Sequence, residues 1–256
     1  MSERRLGLRP GPMRWLILVL FILALEAVGR LGLVSRTVWV PPSQMLVALG
    51  ALAQKGVLWP HLGRTILEAA VSFGLAGLLG IPLGILLWRW PYLARITEPY
   101  LTSLYALPLV FFYPLLLAML GLGSPPIIVI ATLMAAVPIV VNARIGFAEV
   151  RDIYRRLGRS VGCSGPQMYR KILFPAAAPV LFAGLKLGFI YALIGAIAME
   201  FVLADSGLGF AVRYHYNNFD TPEMYAYVLL NLAIAVAVNA VLLRGESRTQ
   251  GADRGL

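Results

Sequence analysis

Long apolar runs separated by short polar breaks make up most of this chain. A helix that crosses a hydrocarbon core about 30 Å thick needs roughly 20 apolar residues. Six stretches reach that length, at 15–34, 66–88, 101–122, 126–147, 178–204 and 224–243. The pattern predicts an all-α, polytopic membrane protein with about six transmembrane helices. Between the third and fourth stretches, Gly123-Ser124-Pro125-Pro126 reads as a tight uncharged turn. The first stretch follows Arg4, Arg5, Arg9 and Arg14, as a signal peptide's apolar region does. It is long for that purpose, contains Glu26 and lacks a clear small-x-small cleavage site, so it is read as a retained helix.

Glycine and proline recur inside the predicted spans: Gly74, Gly77, Gly80, Pro82 and Gly84 in the second, Pro108 and Pro114 in the third, Pro138 in the fourth. Small residues let helix backbones approach, and proline kinks helices, in moving and static bundles alike. Trp39, Trp59, Trp88 and Trp90 flank spans, where amphipathic rings favour the membrane interface. Pro41-Pro42-Ser43 can start a short helix through Gly50.

Composition agrees with the pattern: 59% of the residues are hydrophobic and 13% charged. The mean hydropathy is +0.79. Soluble domains carry about 25% charged residues. A net charge of +10 invites thoughts of nucleic acid, but the cations are spread between apolar spans rather than gathered on one face of a soluble domain. Their distribution instead sets topology. With the N-terminus inside, 16 of the 22 lysines and arginines fall in cytoplasmic segments, namely the tail 1–14, the Arg89–Arg95 turn, the Arg144–Lys171 stretch and the tail 244–256. Arg30, Arg36, Lys55, Arg64 and Arg213 fall outside, and Lys186 lies within a span. Both termini are therefore expected in the cytoplasm. The lone Cys163 excludes an intrachain disulfide and a multi-cysteine metal site, and His61 and His215 lie far apart, so no metal site is expected.

The most basic interruption, the cytoplasmic loop 148–177, has helical periodicity of its own. Val150, Ile153, Leu157 and Val161 recur at helical spacing, with Arg151, Arg155, Arg156 and Arg159 on the other faces. Gly162 fits the left-handed position that ends a helix. Ser164-Gly165-Pro166-Gln167 reads as a capping box opening a second helix toward Phe174, with Pro175 and Pro179 expected to break it before the next span. Two short helices around a glycine corner are predicted. Their residues fit docking of a partner protein and contact with anionic lipid headgroups equally well.

Familiar catalytic signatures are absent from the sequence. There is no GxxxxGK[ST] phosphate loop, the lysines being Lys55, Lys171 and Lys186, and no HExxH, GxSxG or catalytic carboxylate pair. No catalytic residues are therefore assigned. Ionisable residues inside or at the ends of spans are Glu26, Glu68, Lys186, Glu200 and Asp205, which should face protein or a water-filled path. Glu200 and Lys186, 14 residues apart, are about 21 Å apart along a straight helix and cannot pair.

Within the loop, Gly162, Ile172 ten residues later, Phe174 and Pro175 resemble the cytoplasmic "EAA" loop of ABC importer permeases. Trp59-Pro60-His61-Leu62, Gly80-Ile81-Pro82-Leu83-Gly84, and Met199-Glu200 with Ser206-Gly207-Leu208-Gly209 are similar to the nitrate/sulfonate/taurine-type branch of those permeases. The resemblance runs over about residues 40–243. It departs from the pattern at 156–158, where Arg156-Leu157-Gly158 stands in place of Glu-Ala-Ala. An arginine there cannot make the salt bridges of a glutamate, so either the ATPase partner is altered to suit or docking relies on the apolar stripe.

The resemblance implies a type I ABC importer permease fold with a cytoplasmic coupling helix, formed here by Ile153, Arg156, Leu157, Gly158, Val161, Gly162, Ile172 and Pro175. It implies a homodimer in the lipid bilayer of the cell inner membrane, ATP-binding cassette ATPase subunits below, and an extracytoplasmic solute-binding protein above. ATP and magnesium are then expected on the ATPase, with no cofactor on this chain. Glu200, Ser206, Gly207 and Gly209 are implied at the translocation path or outer gate, the alternative for Glu200 being an interhelical hydrogen bond. The implied cargo is a small solute such as nitrate, a sulfonate, taurine or a vitamin precursor. An ATPase-independent channel or secondary transporter is the competing reading, and an integral membrane enzyme a third.

Overall fold

The computed structural model describes residues 10–35 and 37–253, and every regular element among them is a helix. Arg4, Arg5, Arg9, Arg36 and Arg254 of the charge distribution, with the ends of both tails, lie outside the described residues. In chain order the helices are α1 (Pro10–Arg30), α2 (Pro42–Gln54), α3 (Leu58–Arg89), α4 (Pro91–Ala106), α5 (Tyr113–Leu120), α6 (Ser124–Ala148), α7 (Asp152–Ser160), α8 (Gly165–Met168), α9 (Phe174–Leu203), α10 (Leu208–Asn217) and α11 (Thr221–Asp253). The chain forms two compact units, one ending at Trp59 and taking in Ala211–Leu230, the other made of Pro60–Phe210 and the residues from Asn231 on.

In the first unit α1 and α2 approach closely, since a Cβ on Gly29 would lie 2.6 Å from Pro41 Cγ. Glu26 is used at this junction. Its Oε2 accepts the Ser43 N–H at 3.0 Å, and its Oε1 accepts the Ser43 hydroxyl and Arg30 Nε, each at 2.6 Å. A carboxylate from one helix thus satisfies an orphan donor at the N-terminus of the next. Trp39 donates to the Leu25 carbonyl at 3.2 Å, and Tyr225 donates to the Val38 carbonyl at 2.9 Å.

The second unit is built on α3, α6 and α9. Here glycine allows close approach: a Cβ on Gly188 would lie 2.6 Å from Ile139 Cδ1, and one on Gly80 would lie 2.9 Å from Ile139 Cγ2. Ile139 of α6 therefore packs against backbone on two sides, from α3 and α9. Among the described residues four helical stretches are long and apolar enough to cross a membrane: Leu58–Arg89, Ser124–Ala148, Gly165–Val202 and Thr221–Val241.

Two expectations need correction. The stretch 101–122 is not one straight span: Pro91–Leu104 and Leu109–Leu120 are bent by 87°, and make a fifth crossing only if taken together. The cause is local. Pro108 drives Leu107 out of the helical region, to φ −75° and ψ 126°, and α4 stops at Ala106. Nor do Pro175 and Pro179 end the second loop helix. It passes through a π turn at Tyr169–Leu173 directly into α9, where Pro175 occupies the first turn. The wider π turn accommodates a residue that lacks an N–H, so the helix continues.

Candidate functional site

The interruption between α6 and α9 folds as a helical corner. Gly162 adopts φ +71° just after α7, and Ser164 and Gln167 form the reciprocal capping box at the start of α8, the Ser164 N–H reaching Gln167 Oε1 at 2.9 Å. Arg155 pins α7 inward. Its Nη2 donates to the Phe147 carbonyl at 3.1 Å, its guanidinium lies 5.2 Å from the centre of the Trp88 ring, and Asp152 is 3.5 Å away. Gly158 is the contact point with the following turn, where a Cβ would sit 2.5 Å from Ile172 Cδ1 and 2.6 Å from Met168 Cε.

These inward contacts turn the predicted apolar stripe outward. Val150 is buried in the core with Phe147 and Leu173, but Ile153, Leu157 and Val161 are 60%, 58% and 67% exposed. Arg156 is also exposed on this side. Beside α7 a groove of about 480 Å³ is lined by Val150, Tyr154, Leu157, Ile172 and Pro175, with Glu149, Arg151 and Lys171 among its polar residues. Such a surface is suited to receiving another molecule rather than to chemistry.

The second cluster joins the start of α3, the end of α9 and the start of α10. Glu200 is fully buried. Thr65 Oγ1 lies 2.7 and 2.9 Å from its two carboxylate oxygens, and the Gly209 N–H donates to Oε2 at 2.8 Å. Thr65 Oγ1 in turn accepts the Leu208 N–H at 2.9 Å, and His61 Nδ1 accepts the Gly207 N–H at 3.1 Å. Three consecutive backbone donors at the N-terminus of α10 are therefore held by side chains of α3 and α9. The carboxylate sits where the helix dipole favours negative charge.

Arg64 adds a second layer of ties. Its Nε donates to Glu68 Oε1 at 3.0 Å, and its Nη1 reaches Asp205 Oδ1 at 2.8 Å and the Ser206 hydroxyl. Glu68 is fully buried, and its Oε2 has no hydrogen-bond partner among the described residues. Gly207 adopts φ +110°, and a Cβ there would overlap the Glu200 carboxyl group. A Cβ on Gly209 would strike the Ile197 carbonyl. Glycine is required at both positions for the loop to close over Glu200.

The structure thus brings together Glu200, Ser206, Gly207 and Gly209, and separately Ile153, Arg156, Leu157, Gly158, Val161, Gly162, Ile172 and Pro175. Within the second group Gly158 is buried against Ile172, while Ile153, Arg156, Leu157 and Val161 face outward. Glu200's partners from α3 were missing from the site read in the sequence. Their signal is a polar stripe: His61, Arg64, Thr65, Glu68 and Ser72 fall at helical spacing along an otherwise apolar helix.

Residues 76–245 match the family described as binding-protein-dependent transport system inner membrane component. Glu200 and the Ser206–Gly209 loop lie inside that range, whereas His61, Arg64, Thr65 and Glu68 precede it. The chain is 32% identical over 154 residues to the nitrate import permease protein NrtB of Synechocystis sp., covering 60% of this chain and 56% of that one. It thus spans little more than half of that relative's length. It is 28% identical over 191 residues to the taurine transport system permease protein TauC of Escherichia coli, covering 73% and 70%. To a putative aliphatic sulfonates transport permease protein, SsuC of Bacillus subtilis, it is 27% identical over 223 residues, covering 87% and 81%. Its fold is similar to a chain of the inward-facing MetNI methionine ABC transporter, with a TM-score of 0.67 at 21% identity, covering 77% of this chain and 98% of that one.

Proposed function

The chain belongs to the family of inner membrane components of binding-protein-dependent transport systems, and we propose on that basis that it forms half of the solute path of an ATP-driven importer. It is a multi-pass membrane permease subunit. Two copies enclose the path, because one such bundle supplies only half of the pathway. An extracytoplasmic binding protein delivers solute on the side of Arg30 and Lys55. ATP and magnesium belong to a separate ATPase on the side of the Arg144–Lys171 stretch. The lysine and arginine distribution supports this orientation, with both termini in the cytoplasm.

One observation carries the reading. In a chain without a phosphate loop, α7 presents Ile153, Leu157 and Val161 to solvent on a helix whose other side is anchored by Arg155 and Gly158. An apolar stripe held away from its own core fits a partner's cleft. Closure of two ATPases would draw the two loops together and rock the bundles between alternative packings. The cluster around Glu200 lies at the opposite end of α9 and braces the outer side of the path. The cargo is a small solute of the kinds named for the relatives, among them nitrate, taurine and aliphatic sulfonates, and for others formylaminopyrimidine and riboflavin.

The test is reconstitution with the ATPase and binding protein of the same transport system. The expected result is solute uptake that requires ATP and the binding protein, with the ATPase co-purifying with the wild-type chain and lost on Leu157→Asp or Gly162→Asp. Solute flux through the purified chain alone, without ATP, overturns the reading in favour of a channel or secondary transporter.

A further inference from the structure

We infer that the cleft of the ATP-hydrolysing subunit that receives α7 is acidic, with carboxylates set to meet Arg156 and Arg159. This rests on the proposed docking of α7 and adds the chemistry of the partner surface. Between Glu149 and Lys171 the chain carries Arg151, Arg155, Arg156, Arg159, Arg170 and Lys171 against only Glu149 and Asp152. One of these charges is already used: Arg155 is tied to the Phe147 carbonyl, stacked over Trp88 and neighboured by Asp152. Arg151, Arg156, Arg159, Arg170 and Lys171 are exposed, and none is paired with a carboxylate among the described residues. The loop therefore presents an excess of positive charge around its apolar stripe.

The arrangement of that charge selects the partner. On α7, Arg156 borders the stripe of Ile153, Leu157 and Val161, and Arg159 lies one helical turn beyond Arg155 and Arg156. Across the groove, Lys171 and Arg151 stand beside Leu157, Ile172 and Pro175. A purely apolar cleft that buried the stripe would also strip water from these cations and leave them unpaired, which opposes binding. A cleft with carboxylates at those points gains attraction, faster encounter and discrimination against ATPases of the wrong charge.

An anionic lipid surface offers the same charge but fits the geometry less well. The inward side of α7 faces the ends of the spans, through Arg155 to Trp88 and Phe147 and through Gly158 to Ile172. Ile153 and Val161 are exposed on α7, and Leu157 borders the groove beside Ile172 and Pro175. A helix lying in the interface buries one continuous apolar side in the lipid and keeps its cations at the headgroups. Here apolar and basic residues are interleaved around a groove, which fits the cleft of a protein.

The experiment titrates the ATPase subunit of the same transport system onto the full-length chain in nanodiscs, with the chain present as wild type, Arg156→Glu/Arg159→Glu, Arg156→Gln/Arg159→Gln and Leu157→Asp. The discs are made in parallel from neutral and from anionic phospholipid, and each titration is run at low and high salt. Expected in both lipids is at least a tenfold loss of affinity for the Glu variant and a smaller loss for the Gln variant. Wild-type binding should weaken with salt. Undiminished binding by the Glu variant, with binding abolished by Leu157→Asp, overturns the acidic cleft while leaving the docking of α7 in place. Undiminished binding by Leu157→Asp instead removes the docking itself. A charge effect confined to anionic discs assigns the cations to lipid and also overturns the inference.

Discussion

Replacing Thr65 with valine removes one hydroxyl from the centre of the Glu200 cluster with little change in shape. That oxygen has two roles, donating toward the Glu200 carboxylate at 2.7 Å and accepting the Leu208 N–H at 2.9 Å. Loss of the hydrogen bond costs about 0.5–1.5 kcal/mol, and leaving a buried donor unpaired costs about 1–3 kcal/mol. The two overlap in part, because the surroundings relax, so the start of α10 should be destabilised by about 1–4 kcal/mol. At about 1.4 kcal/mol per factor of ten, the amides of Gly207, Leu208 and Gly209 should exchange roughly 5-fold to 700-fold faster in nanodiscs. Thr65→Ser keeps the hydroxyl and loses one methyl group, a change of about 1 kcal/mol or less. Equal protection of these three amides in wild type and Thr65→Val would refute the account. So would equal loss in the valine and serine variants, since that would make the methyl group, not the hydroxyl, the stabilising feature.

Other consequences follow from the same packing. Gly207→Ala combines φ +110° with overlap of the Glu200 carboxyl group, and should lower the unfolding temperature in detergent far more than Gly74→Ala, whose Cβ meets nothing within 4 Å. Gly188→Ala brings a Cβ to 2.6 Å from both Ile139 Cδ1 and Cγ1; a double-mutant cycle with Ile139→Ala, which lacks both atoms, should show a favourable coupling between the two changes. Arg155→Ala releases the tie to Phe147 and the contact with Trp88, so amide exchange across Asp152–Ser160 should accelerate while α6 stays protected. Glu200→Gln places an amide where Thr65 and the Gly209 N–H both approach carboxylate oxygens; reduced uptake with normal subunit assembly is expected, and full transport by this variant removes the outer-side role of Glu200.

How much of this was legible depends on how far each cause lies along the chain from its effect. The loop's corner is local, and it could be read: Gly162 has the expected φ, and Ser164 finds Gln167 three residues on. The break at Leu107 is equally local, yet apolar length hid it, because hydropathy counts Pro108 as part of a span while its effect on the preceding residue's ψ ends the helix. On α7, periodicity identified the stripe but not its direction. That direction is set by Gly158, the position without a side chain, which lets Ile172 and Met168 approach and so turns Leu157 outward. Glu200 is the hardest case, since its Thr65 partner lies 135 residues away. Even there the demand for a partner is written locally. A polar stripe from His61 to Ser72 on an apolar helix must meet other polar groups, and Asp205–Gly209 offers a carboxylate, a hydroxyl and free backbone donors beside Glu200. Polar positions on membrane helices are therefore better treated as two halves of one cluster than as separate candidates. The α3 stripe and the segment after α9 are two such halves, each carrying the polar groups that the other lacks.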